Sequence, residues 1–104
     1  MPVTDVFGAL ANPVRRRILE LLRAGPRAAG EIAAQFDLQR PAVSEHLQVL
    51  RAAGLVTEEI RGRLRIYQLD LGALSELSAW LRPFELYWQE RLRALHQTLD
   101  DELS

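Results

Sequence analysis

Ser44 and His46 come nearest to catalytic machinery in this sequence, a hydroxyl and an imidazole two residues apart. On a helix two residues turn through about 200°, so these side chains diverge and cannot form a nucleophile–base pair. No glycine-rich phosphate loop and no pair of carboxylates arranged for acid–base work appears. An enzyme is therefore not expected. Cysteine is absent, which removes disulfides, thiolate metal ligands and thiol redox chemistry together. The two histidines, His46 and His96, fall short of the imidazole set a transition metal usually takes, so neither a metal nor another cofactor is expected. The remaining chemistry is that of arginine. All thirteen basic residues are Arg. Guanidinium groups suit bidentate contacts with phosphates and base edges, although uniform Arg is equally what a composition bias of the genome would produce.

The net charge of −1 conceals a division. Residues 1–69 carry ten Arg against seven acids, or +3, and residues 70–104 carry three Arg against seven acids, or −4. A basic front and an acidic back suggest two tasks. On the back, Glu85, Glu90, Asp100, Asp101 and Glu102 read as a solvated helix face. At 104 residues the chain reads as one domain, 1–104, short enough that a partner often completes it. No apolar run approaches the roughly 20 residues that cross a bilayer, so no membrane partner is expected. No secretion signal is seen, which places the chain in the cytoplasm.

The elements that position the arginines follow from periodicity. A short helix over 3–11 would have Val3, Val6, Phe7 and Leu10 as its apolar side. Asn12 reads as an N-cap with Pro13 at the first helical position, opening a second helix with Val14, Ile18, Leu21 and Leu22 on one face. Gly25-Pro26 ends it. A third helix covers about 28–36, with Ala29, Ile32, Ala33 and Phe36 buried. Pro41 opens a fourth, through about Ala53, stopped by Gly54. Its core face is Val43, Leu47 and Leu50, and its polar side carries Arg40, Ser44, Glu45, Gln48 and Arg51. Leu55–Ile60 and Leu64–Leu69 read as strands around an Arg61-Gly62-Arg63 tip, Gly62 supplying the positive φ. Asp70 caps a fifth helix to about Arg82, Pro83 interrupts, and a last helix runs from about Phe84 to Glu102 with Phe84, Trp88, Leu92, Leu95 and Leu99 as its stripe.

The predicted order is α-α-α-α-β-β-α-α, mainly α with a small β-hairpin. Two short helices around a tight turn, followed by a hairpin with a basic tip, make a winged helix-turn-helix. The second helix of the pair fits a major groove. The wing residues Arg61, Arg63 and Arg65 would follow the flanking backbone or minor groove of double-stranded DNA. Arg15, Arg16 and Arg17 begin the second helix, where the N-terminal dipole also favours phosphate, though at least one of them reads as merely solvated.

The segments NPVRRRILELL (12–22), PAVSEHLQVLRAAGLV (41–56) and RGRLRIYQL (61–69) resemble ArsR-type repressors. The resemblance spans about Val6 to Leu99, and its most specific part is the Ser-x-His-Leu-x-x-Leu-x-x-x-Gly-Leu-Val string from Ser44. It implies a homodimeric repressor, paired through its first and last helices, on an inverted repeat in the promoter it controls, often its own. It carries DNA reading onto Arg40, Pro41, Ser44, Glu45 and His46. His46, between Val43 and Leu47, reads better as a structural or phosphate residue than as a base reader. Two positions depart from the family pattern. Gln39 stands where Ser or Thr usually caps, and Glu45 stands where a basic residue or His is usual, so Glu45 either reads a cytosine amino group or weakens binding. Family metal sensors place Cys pairs on the third helix or His, Asp and Glu across the last two. Here the third helix offers only Glu31 and the terminal region only one imidazole, His96, which implies the subgroup without metal ligands.

Val6, Phe7 and Leu10 with Trp88, Leu92, Leu95 and Leu99 are the expected dimer surface. Trp80, Phe84, Tyr87 and Trp88 cluster around Pro83, as core and dimer packing or as a pocket for an unknown small-molecule effector. Beside the metal-independent repressor stand two alternatives: a repressor responding to such an effector, and a winged-helix interaction module that does not bind DNA.

Overall fold

In the computed structural model, residues 5–103 are described, and Val3 of the expected first helix lies outside them. The helix α1 (Val6–Leu10) starts at Asp5, whose carboxylate accepts the Gly8 amide. Asn12 caps α2 (Pro13–Leu22): its Oδ1 accepts from the amides of Val14 at 2.8 Å and Arg15 at 3.3 Å. The cap and the proline at the first turn are where the sequence puts them.

Next comes an element the periodicity misses. Arg27–Ala28 forms a two-residue strand, β1, which pairs antiparallel with the second wing strand, Arg27 opposite Tyr67 and Ala28 opposite Ile66. Two residues carry no alternation to read, and only the distant partner makes them a strand. The helix α3 (Ala29–Ala34) follows directly, with the Ala28 amide donating back to Glu31 at 3.2 Å.

α4 (Arg40–Ala52) ends in a Schellman motif. The Gly54 amide donates to the Arg51 carbonyl at 3.0 Å and the Leu55 amide to the Leu50 carbonyl at 2.9 Å. Gly54, at φ +77°, supplies the left-handed turn, and Leu50 and Leu55 bury the accompanying apolar contact. Leu55 then delivers the chain into β2 (Val56–Arg61), which returns as β3 (Leu64–Leu69). The sheet order is β1-β3-β2. Arg61 opposite Leu64 leaves Gly62-Arg63 as the turn, with Gly62 at φ +61°.

Ile18, Ile32, Leu47 and Leu50 are fully enclosed, and Leu22, Val43, Leu55, Val56 and Tyr67 complete the core that α2, α3, α4 and the sheet share. Leu19, which the sequence reading leaves off the apolar face of α2, is also buried. The core fixes the roll of α4: Val43, Leu47 and Leu50 go inward and the opposite face must look out.

α5 (Leu71–Leu103) corrects the expectation of two helices broken at Pro83, so the element order is α-α-β-α-α-β-β-α. Asp70 starts it, accepting the Gly72 amide at 2.9 Å. Pro83 has no N–H to give the Ala79 carbonyl, but both residues are exposed, so water can take that place and the helix continues. The chain packs as two units, one ending at Leu74 and the other beginning at Ser75. In the second unit the rings of Trp80 and Phe84 lie 4.9 Å apart, and the Arg91 guanidinium covers the Tyr87 ring at 5.0 Å.

Candidate nucleic-acid interface

The outward face of α4 carries Arg40, Pro41, Ser44, Glu45, Gln48 and Arg51, all exposed. All but Pro41 are the side chains the sequence assigns to its polar side, and Pro41 is one the family resemblance adds. Gln39 makes no side-chain cap bond, as its weak capping chemistry suggests. Arg40 takes part in no ion pair among the described residues, so its guanidinium is available to an outside acceptor.

His46 is half-buried at the edge of this face. Its Nδ1 lies 3.3 Å from Nη1 of Arg15. Arginine only donates, so Nδ1 accepts and the neutral ring carries its proton on Nε2. Arg15 also donates through Nε to the Ala9 carbonyl at 2.7 Å and through Nη2 to the Gly8 carbonyl at 3.2 Å. Arg16 donates to the Leu10 carbonyl at 2.7 Å. Both arginines thus satisfy the open carbonyls of α1, a task the sequence reading did not give them. Arg17 lies over the Phe36 ring at 5.0 Å.

On the wing, Arg63 at the turn takes part in no ion pair among the described residues. Arg61 donates to Glu59 at 3.1 Å. That hydrogen bond, and then the charge of Arg61, hold the Glu59 carboxyl below the usual carboxylate range. Arg51 and Arg65 both approach Glu58, at 3.6 and 3.9 Å. Glu58 also accepts the Tyr67 hydroxyl. Burial, and then that hydrogen bond, push the Tyr67 hydroxyl above its ordinary value. Glu58 is the residue of this surface that sequence reasoning missed. Its signal was the hairpin register, which sets it opposite Tyr67.

Two hollows flank α4. One, of about 430 Å³, brings Arg40 together with Arg63 and Arg65 beside the start of α3. The other, of about 380 Å³, is lined by Arg15, Glu45, His46, Gln48, Val49 and Ala52. A convex polar helix with cationic flanks is a shape that enters a DNA groove and meets the backbone beside it. No three His, Cys, Asp or Glu side chains form a group able to hold a metal ion among the described residues. No helix among them is long and apolar enough to cross a membrane.

This helix-and-wing surface is that of a winged helix-turn-helix DNA-binding protein. The sequence profile of a helix-turn-helix domain matches residues 10–59. The HTH-type transcriptional regulator Rv2034 of Mycobacterium tuberculosis is 43% identical over 94 residues, covering 90% of this chain and 85% of that protein. The transcriptional repressor SdpR of Bacillus subtilis is 34% identical over 82 residues, covering 79% and 91% respectively. The crystal structure of an ArsR family transcriptional regulator superposes with a TM-score of 0.73 at 31% identity, covering 80% of this chain and 91% of that one. The chain belongs to the ArsR family of transcriptional regulators, DNA-binding proteins and not enzymes.

Of the expected dimer residues, Val6 and Leu10 pack partly against the protein's own core, while Phe7 is exposed. Trp88, Leu92, Leu95 and Leu99 are all exposed on α5, Trp88 at 62%.

Proposed function

We propose that this regulator is a homodimeric, metal-independent repressor that reads an inverted-repeat operator, in the cytoplasm, with the outer face of α4. Arg40, Pro41, Ser44, Glu45 and Gln48 meet base edges or the adjacent backbone. Arg63, with Arg61 beside it, follows the flanking phosphates. The observation that carries this reading is the convergence of Arg40 from α4 with Arg63 from the wing on one hollow, which Arg65 also lines, so that recognition helix and wing present one continuous cationic surface. Dimerisation is supported by the exposed apolar stripe of α5, where Trp88, Leu92, Leu95 and Leu99 together are too apolar to leave in water. Two-fold pairing would set the recognition helices about 34 Å apart, one turn of DNA. Metal independence is supported by the absent cysteines and by the engagement of His46 with Arg15.

Binding to the DNA upstream of its own gene, with a scrambled duplex as competitor, tests the reading. A species of two chains per duplex, centred on an inverted repeat and unchanged by chelator or Zn²⁺, is expected. Binding without preference for the repeat contradicts it. So does a metal that shifts operator affinity more than about tenfold, which is roughly 1.4 kcal/mol of coupling.

A further inference from the structure

Glu58 stands where the recognition helix meets the wing, and three groups converge on it. Its side chain is only 10% exposed, whereas those of Arg51 and Arg65 are 59% and 62% exposed. Arg51 Nη1 lies 3.6 Å from Oε1, and Arg65 Nη1 lies 3.9 Å from Oε2, the oxygen that accepts the Tyr67 hydroxyl. A carboxylate so far removed from water depends on its partners. One hydroxyl donor does not balance a full charge, and the two guanidinium groups supply the rest. Had either arginine swung out to a phosphate, the buried carboxylate would lose that compensation. The asymmetry matters: two exposed cations are tethered to an anion that cannot follow them.

We propose that Glu58 is a positioning residue of the DNA interface that limits its overall affinity, holding Arg51 and Arg65 against the protein and away from phosphate. Phosphate contacts raise affinity for every sequence alike, so withholding two cations lowers binding to operator and random DNA by similar factors and leaves discrimination to the exposed face of α4. The inference rests on the assignment of α4 and the wing as the DNA face, and it divides the arginines of that face into held (Arg51, Arg65) and free (Arg40, Arg63).

The test is the salt dependence of binding to a random duplex. Glu58→Gln keeps an oxygen to accept the Tyr67 hydroxyl and removes the charge. Its log–log slope is expected to steepen by up to about 1.8 per protomer, so that lowering salt from 200 to 50 mM gains about 12-fold more affinity per protomer than in the parent, or about 150-fold for a bound dimer. Affinity for the operator rises by a similar factor, so the operator-to-random ratio stays near the parent's. Arg51→Gln gives an independent arm that does not depend on how Glu58→Gln folds. With Glu58 intact it should change the slope by less than about 0.3, and in the Glu58→Gln background it should take back about 0.9. A Glu58→Gln slope equal to the parent's overturns the proposal, as does parallel loss of affinity on both duplexes. A flattening of about 0.9 by Arg51→Gln alone also overturns it, because Arg51 would then already sit on phosphate. Arg40→Ala, measured alongside, reports on the α4 assignment through operator preference, so that either reading can fail without the other.

Discussion

Tyr67 shows how one side chain can be open to sequence reading in its place and closed to it in its role. Its position in the second wing strand follows from the Leu-Arg-Ile-Tyr-Gln-Leu pattern, but its hydroxyl partner depends on a register that no single strand contains. The same holds for Arg15 and Arg16. A helix N-terminus favours phosphate, and the sequence does not show that both also donate to carbonyls of α1. By contrast Asn12 acts through a side chain on the amides next to it in sequence, and Gly54 and Gly62 through their own backbones, so their roles were plain from residue type. Tyr67 also sets a pH dependence. Its folded-state pKa lies above the unfolded value of about 10, so its contribution is complete below that value and is lost as pH rises through the folded pKa. Denaturation midpoints between pH 8 and 11 should fall for the parent, more clearly because the chain has no Lys to titrate in that window. Tyr67→Phe should cost about 1 kcal/mol at pH 8 and remove most of the decline. An unchanged decline in the Phe variant would show that another group is responsible.

At the scale of elements, the four helices before the wing and the hairpin were readable because each carries its own boundary chemistry and its own apolar face. β1 was not, since a two-residue strand exists only through Tyr67 and Ile66 across from it. The break expected at Pro83 was a rule applied without its exception. A proline interrupts a helix when the freed carbonyl is buried, and here the site is exposed on the side of α5 away from the stripe. Restoring the amide tests this account. Pro83→Ala should raise the helical stability of the C-terminal unit, by at most about 3 kcal/mol, seen as a higher melting point of the 222 nm dichroism. A lower melting point would mean that the proline's geometry is required. The wing turn gives a second test. A side chain at position 62 would meet no atom within 4 Å, so Gly62→Ala costs only the strain of φ +61°. That is about 1 kcal/mol, with the hairpin intact in amide chemical shifts.

For the whole molecule, the division of charge along the chain matches a division of labour. The Arg-rich first part carries the face proposed to meet DNA, and the C-terminal unit carries the exposed apolar stripe proposed to meet a second copy. Along α5 the large apolar residues recur every eleven positions: Leu77, Trp88 and Leu99; Leu81, Leu92 and Leu103; Phe84 and Leu95. Eleven residues in three turns favour a nearly straight or slightly right-handed helix pair over a left-handed coiled coil. On the proposed dimer, Leu95→Asp should give a monomer in sedimentation at micromolar concentration, where the parent is expected to sediment as a dimer. A monomeric parent would remove the two-fold reading of the operator.

The central claim is that the outer face of α4 reads bases while the free wing arginine grips the backbone, and both sides of it are measurable in one titration series. Arg40→Ala and Arg63→Ala are compared on the operator and on a random duplex at several salt concentrations. Arg40→Ala should cost roughly 1–3 kcal/mol per half-site on the operator and much less on random DNA. Arg63→Ala should weaken both duplexes by similar factors and lower the salt slope of the dimer by up to about 1.8. Equal losses on the two duplexes for Arg40→Ala, or no loss for either variant, would contradict the account.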